Sequence, residues 1–213
     1  MILLIGGQKG GCGKTNLATN LAAYLVGSGV DLILLDTDKA QNSSAKWAAR
    51  RRSRNDVPKV NSLLAYDDIR DTANDLAERY ELVIIDAGGR DSMEFRTALT
   101  VADICLTPFV PSQHDMDTLP LVNDLINQAR VFNTQLKAYA VLSNCPQNKQ
   151  AREKRLVDIG EVFEELPEFL LLKTQIINRI AYTDSASTGS GVTEMKDIKA
   201  AKEIKQLAGE LQE

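Results

Sequence analysis

Short runs of Ile, Leu and Val recur along this chain without polar residues between them. Longer stretches with apolar positions every three or four residues separate the runs. The runs at 2–6, 32–35, 82–85, 104–107 and 138–143 read as strands, and their lack of polar alternation marks them as buried on both faces. The stretches at 14–26, 43–52, 67–79, 116–132, 150–166 and 196–211 read as helices. In the last of these, Ile198, Ala201, Ile204, Leu207 and Leu211 keep helical spacing. Gly27 and Gly29 stop the first helix. This alternation predicts an α/β fold with a mostly parallel twisted sheet and helices on both faces. No internal repeat, low-complexity tract or linker interrupts it, so residues 1–213 are expected to form a single domain.

Composition narrows the class. A length of 213 residues suits one such domain with a full core. Aromatics make up only 5%, so the core has to be aliphatic. No run approaches the roughly 20 apolar residues of a membrane-spanning helix. The apolar start has no basic segment ahead of it, unlike a secretory signal. Cys12, Cys105 and Cys145 form no CxxC pair. They are expected to be reduced thiols of a cytoplasmic protein, with no disulfide frame and no zinc or iron–sulfur site. A net charge of −4 argues against a dedicated nucleic-acid binder and leaves the question to local clusters.

The chemistry concentrates after the first strand, in Lys9-Gly10-Gly11-Cys12-Gly13-Lys14-Thr15. The simple phosphate-loop pattern G-x-x-x-x-G-K-[ST] fits at Gly13-Lys14-Thr15 but meets Gln8 where its first glycine belongs. The physical requirements are still met. Gly10, Gly11 and Gly13 allow close backbone approach to phosphate oxygens, and the helix behind them presents its positive end. Lys14 can neutralise phosphate charge and Thr15 can offer a hydroxyl to Mg²⁺. ATP with Mg²⁺ is the expected ligand, cradled by Gly10, Gly11, Cys12, Gly13, Lys14, Thr15 and Asn16. A dinucleotide loop would need G-x-G-x-x-G, which is absent here. Asp36 and Asp38 end the second run and Asp86 ends the third. Carboxylates at the carboxyl ends of parallel strands face the ligand crevice. The lone His114 reads as a polar loop residue.

The loop K-G-G-x-G-K-[ST] resembles the deviant Walker A loop of the ParA/MinD superfamily. That resemblance implies a P-loop ATPase. It makes Lys9 the signature lysine, which reaches the phosphates of a partner's ATP in a sandwich homodimer, so Lys9 and Lys14 become catalytic. It makes Leu34-Leu35-Asp36-Thr37-Asp38 the D-x-D of switch I, with Asp36 holding Mg²⁺ through water and Asp38 orienting the attacking water. Asp86 becomes the Walker B aspartate, a metal residue with Thr15 and Asp36. Ala87-Gly88-Gly89-Arg90-Asp91 looks like switch II. Pro108-Phe109-Val110-Pro111-Ser112 with Asp115 looks like the P-x-x-P-S…D stretch of partition ATPases. The chain departs from the family at Asn16, where a second Thr is usual, and at Lys39-Ala40-Gln41, where D-x-D-P-Q is usual. An amide at Asn16 can still donate to the α-phosphate.

Gln8 and the acidic tail Glu210-Leu211-Gln212-Glu213 set the chain apart from MinD-type loops and from a basic membrane-binding helix. No membrane partner is expected. The first strand starts at Ile2, so no N-terminal helix-turn-helix domain is expected. The chain resembles the small plasmid-partition ParA ATPases. That implies slow ATP hydrolysis, non-specific DNA binding by the ATP dimer, nucleoid association in the cytoplasm, and a small ParB-like centromere-binding adaptor. DNA contact would run through phosphates. Candidates are Arg51 in the cluster Lys46–Arg54, Arg152 and Arg155 in the cluster Lys149–Arg155, and Arg179, which resembles a late-chain DNA-contacting arginine. Each cluster also reads as a solvated helix face. Asn144 is placed like an adenine-contacting residue and equally like a turn asparagine. Two other functions remain open at this level: a ParA-like positioner of another cargo, and a metabolic P-loop enzyme of the amidoligase type.

Overall fold

The computed structural model describes residues 1–89 and 91–212, without the side chains of residues 151, 154, 155, 157 and 158. Its strands are β1 (Ile2–Ile5), β2 (Leu32–Asp36), β3 (Asn61–Leu64), β4 (Leu82–Asp86), β5 (Ile104–Phe109), β6 (Lys137–Cys145) and β7 (Leu170–Ile177). They form one seven-stranded sheet in the order β3-β2-β4-β1-β5-β6-β7. Every neighbouring pair is parallel.

Alternate residues of each strand feed two cores. Ile2 and Leu4 of β1 face one side with α3 (Arg70–Ala77), α4 (Met93–Leu99), α6 (Leu119–Arg130) and α7 (Lys149–Glu164). Leu3 and Ile5 face the other side with α1 (Lys14–Gly27), α2 (Ser43–Arg52), α8 (Ile180–Thr188) and α9 (Ile198–Glu210). The strands β1, β2 and β4 are apolar throughout except for the aspartates that end β2 and β4, because crossover helices cover both faces and exclude water.

The expected helix at 43–52 is found there, and the first helix ends as its glycines require: Gly29 takes the left-handed conformation, with φ 91°. The expected helix at 116–132 is corrected. It is two helices, α5 (Gln113–Met116) and α6, because Pro120 occupies the first turn of α6 and starts it afresh. His114 lies exposed on α5 instead of in a loop. The expected helix at 67–79 shortens to Arg70–Ala77, since Asp67 is left-handed at φ 65°. The short strand β3, the strand β7, and helices α4 and α8 had no counterpart among the expected elements.

Topology brings the candidate residues together. β2 and β4 are neighbours with Asp36 opposite Asp86, and β4 and β1 are neighbours with Ile5 opposite Asp86. Both carboxylates therefore stand beside the loop that leaves β1. The chain turns outward in opposite directions on either side of β1, which opens a crevice at the strands' carboxyl ends.

Candidate nucleotide site

Gly13 caps α1 in the left-handed conformation, with φ 93°. A Cβ there would stand 2.7 Å from the Ser143 hydroxyl oxygen, so neither the backbone nor the space suits a larger residue. No side chain caps the first turn of α1 and none of its residues is acidic. Its amides are thus presented to an anion, with the helix dipole behind them. Gly10, Gly11, Gly13, Lys14, Thr15 and Asn16 line one side of a cavity of about 530 Å³, and Asp38 and Gly89 line the other.

The loop is held by its own lysine. The buried Lys14 donates from Nζ to the Lys9 carbonyl at 2.5 Å and lies 3.7 Å from Cys12 Sγ. Burial pushes the Cys12 thiol up, against the partial opposing effect of Lys14, so Cys12 is a neutral packing residue whose Sγ donates to the Lys9 carbonyl. The Lys9 side chain is exposed. Asn144 reaches across from the end of β6, at φ 50°, and donates from Nδ2 to the Gly11 carbonyl at 3.1 Å. Its amide braces the loop, which is a turn role with a definite partner. On the far side, a Cβ at Gly89 would lie 2.9 Å from Gly10 Cα and 3.0 Å from Lys14 Nζ. The loop that follows β4 therefore closes on the glycine-rich loop through bare backbone. Arg90 of that segment lies outside the described residues.

The aspartates divide their tasks by hydrogen bonding. Asp36 is fully buried and accepts from the Asp38 amide at 3.0 Å and the Ala45 amide at 2.9 Å, which ties the loop after β2 to the start of α2. Asp38 accepts from the amides of Ala40 and Gln41 through Oδ1 alone, both at 3.1 Å. Asp38 lines the cavity, and its Oδ2 lies close to Gly88. Asp86 is different. Among the described residues, neither of its buried oxygens has a hydrogen-bond partner, and nor has the buried Ser44 hydroxyl. Burial, and then the neighbouring Asp36, raise the Asp86 carboxyl from 3.8 to about 7, with the nearby Thr15 and Ser44 hydroxyls and Lys14 opposing. A buried carboxylate beside the Thr15 and Ser44 hydroxyls is a set of hard oxygen donors. Mg²⁺ fits that set, with Thr15 and Asp86 to hold it and the remaining lone pairs of Asp36 to receive its waters.

The chain matches the CobQ/CobB/MinD/ParA nucleotide binding domain over residues 3–208. It belongs to that family. The maintenance of carboxysome distribution protein A of Halothiobacillus neapolitanus is 27% identical over 216 residues, covering 98% of this chain and 95% of its own. Among solved structures, apo McdA of Cyanothece superposes with a TM-score of 0.76 at 14% identity, covering 99% of this chain and 98% of its own. A plasmid partition protein of Borrelia burgdorferi bound to AMPPNP gives 0.73 at 16% identity, with the same coverage. At such identities the structures support the fold alone.

In this ParA/MinD-family chain the proposed DNA residues fare unequally. Arg51 is corrected: its side chain is 0% exposed and it cannot meet a polyanion. It pairs with Glu194 at 2.6 Å, donates to the carbonyls of Pro58 and Gly189, and lies 5.3 Å from the centre of the Trp47 ring. Arg179 is mostly covered and donates to Glu203 at 2.8 and 2.9 Å, so it reaches a surface only along with that carboxylate. Arg152 folds back on the carbonyls of Pro146 and Gln147. The side chain of Arg155 lies outside the described residues. A different group was missed. Lys196, just ahead of α9, and Lys199, Lys202 and Lys205 along it are all exposed, and none forms an ion pair among the described residues. The signal was present as a lysine every third residue on the solvent side of an amphipathic helix, hidden by the acidic residues that follow. No described helix is long and apolar enough to cross a membrane.

Proposed function

We propose that this protein is an Mg²⁺-dependent ATPase of the ParA type, which forms an ATP sandwich dimer and partitions DNA with a ParB-like adaptor. One observation carries the reading. The ammonium of Lys14, which would take the phosphates, holds the carbonyl of Lys9, whose own side chain is exposed beside the cavity. Phosphate binding therefore acts directly on the backbone that carries the signature lysine, coupling nucleotide to dimerisation. In the closed site Lys14 neutralises phosphate charge, and the first-turn amides of α1 hold the β-phosphate region. Asp38, with one oxygen committed and one free, orients the attacking water and accepts its proton. Thr15 and Asp86 would hold Mg²⁺, which would supply neutralisation of phosphate charge when bound. The lysines of α9, with Arg179 beside them, are the proposed DNA surface, and their contacts to phosphates would be strongly salt-dependent.

The similarity to a carboxysome distribution protein over almost the whole chain favours a second reading, in which the same switch positions a protein compartment. The location of a fluorescent cargo separates the readings. Under the first, loss of this protein scatters a plasmid. Under the second, it scatters a compartment and leaves plasmid inheritance intact.

The nucleotide switch itself is tested by light scattering with ADP–Mg²⁺ and ATP–Mg²⁺. The wild type is expected to become a dimer only with ATP, and Lys9→Ala to bind ATP yet stay monomeric. A wild type that binds ATP and remains a monomer would sink the sandwich mechanism and favour the metabolic-enzyme reading.

A further inference from the structure

Asn16 and Asn20 stand one turn apart on α1, and the hydrogen bonds around them fix which way each amide points. The Val192 backbone N–H, which can only donate, meets Asn20 Oδ1 at 2.7 Å. The other end of that amide is therefore Nδ2. It lies 2.8 Å from the Asn16 carbonyl, which can only accept, so two independent partners agree on the assignment. The same Nδ2 lies 2.7 Å from the side chain of Asn16, which must offer its oxygen there. Asn20 is 1% exposed and cannot be turned by water. Asn16 is left with its NH₂ as the free end. That group has no hydrogen-bond partner among the described residues, and Asn16 lines the nucleotide cavity.

We propose that Asn20 is a positioning residue for nucleotide binding, which locks the Asn16 amide so that its NH₂ donates to the phosphate chain. The inference rests on the ATP-binding reading above. A free asparagine at the mouth of a phosphate site presents oxygen as readily as nitrogen, and oxygen would repel the ligand. The relay from Val192 through Asn20 removes that choice before the nucleotide arrives. It also makes the 3₁₀ turn Val192–Glu194 part of the device, since that turn supplies the donor that sets the direction.

Asn20→Asp reverses the lock. The substituted carboxylate still accepts from Val192 but cannot donate to Asn16, so Asn16 gives its own NH₂ to that carboxylate and turns its oxygen to the cavity. Titration calorimetry with ATP–Mg²⁺ and with ADP–Mg²⁺ on the full chain reads the effect. Asn20→Asp is expected to weaken both nucleotides about tenfold. In an Asn16→Ala background the same change should have almost no further effect, because the group it acts through is gone. Thermal unfolding without nucleotide, run on all four proteins, separates the loss of the Asn20 Nδ2 bonds to the Asn16 carbonyl and the Ser185 hydroxyl, which would appear equally in both backgrounds. Asn16→Asp is the second variant. It keeps the oxygen for Asn20 and replaces only the free NH₂, so it should lower affinity at least tenfold with little change in melting temperature. Independent, additive losses from Asn20→Asp and Asn16→Ala would overturn the proposal, as would unchanged affinity in Asn16→Asp. Failure of the wild type to bind ATP would instead overturn the function on which it rests.

Discussion

Asp86→Asn should make the nucleotide-free protein more stable and weaken its Mg²⁺-dependent nucleotide binding. The carboxyl sits at about 7 in the folded protein against 3.8 for an ordinary aspartate. Below about pH 4 the folded and unfolded chains both hold the proton. Between about 4 and 7 the folded protein keeps it and the unfolded chain releases it, so stability falls as pH rises through that window and levels off above it. An asparagine carries no such penalty. The difference in melting temperature between variant and wild type should therefore grow from pH 4 to pH 7. At the top it should correspond to about 1–3 kcal/mol, once the cost of an amide in the same tight place is allowed for. Nucleotide binding should show the opposite dependence. With Mg²⁺, wild-type affinity should exceed that of the variant more than tenfold, and the wild type should release a proton on binding below pH 7. Equal stability of the two proteins at pH 7 would show that the carboxylate is not held away from its charge.

Arg51→Met should be the most destabilising single change among the arginines of α2. It removes a bidentate partner from Glu194, leaves the carbonyls of Pro58 and Gly189 without their donor, and empties the space against Trp47. Loss of one member of a fully buried pair costs about 3–5 kcal/mol, an upper bound here because the Glu194 side chain is 18% exposed. For a chain of 213 residues that corresponds to a fall of roughly 6–20 °C in melting temperature. Arg52→Met, at the exposed next position, should stay within about 0.5 kcal/mol of wild type. Replacing Glu194 by Leu together with Arg51→Met should recover much of the loss. If the double variant is no better than the single, the pair is not what the arginine supports.

These two positions mark where the sequence was legible. The Asp86 site could be anticipated because an aspartate closing a run of four apolar residues has few places to go in a parallel sheet. Its neighbour across the strands, Asp36, followed from the same logic. Arg51 could not be separated from Arg50 and Arg52 by charge or clustering. The rotation of a helix could have separated them, since Ser44, Trp47, Ala48 and Arg51 all fall on one face and all are buried. β3 escaped notice because it is an edge strand with exposed Leu63 and Leu64 and polar residues before them. α8 escaped because Ser and Thr recur through it and its buried residues are Ala181, Tyr182 and Ser185, with no aliphatic stripe. Their placement is set by neighbours that come from distant parts of the chain. The mouth of the nucleotide site owes its shape to Gly89 lying on Gly10, a contact between loops that no local pattern reports.

The order of the sheet also governs how the chain can be made. β4 lies between β1 and β2, pairing Ile84 with Leu3 on one side and with Leu34 on the other. β1 and β2 therefore do not pair with each other, and each waits for a strand that begins at Leu82. The glycine-rich loop after β1 is synthesised before that strand, yet it cannot be shaped until the strand has arrived. Closing so long a loop before any sheet exists is slow, and it leaves apolar strands uncovered in the meantime. Truncated nascent chains ending before β4 should be captured by chaperones and cut by protease throughout. Chains long enough to expose β4 should acquire protection in β1 and β2 together.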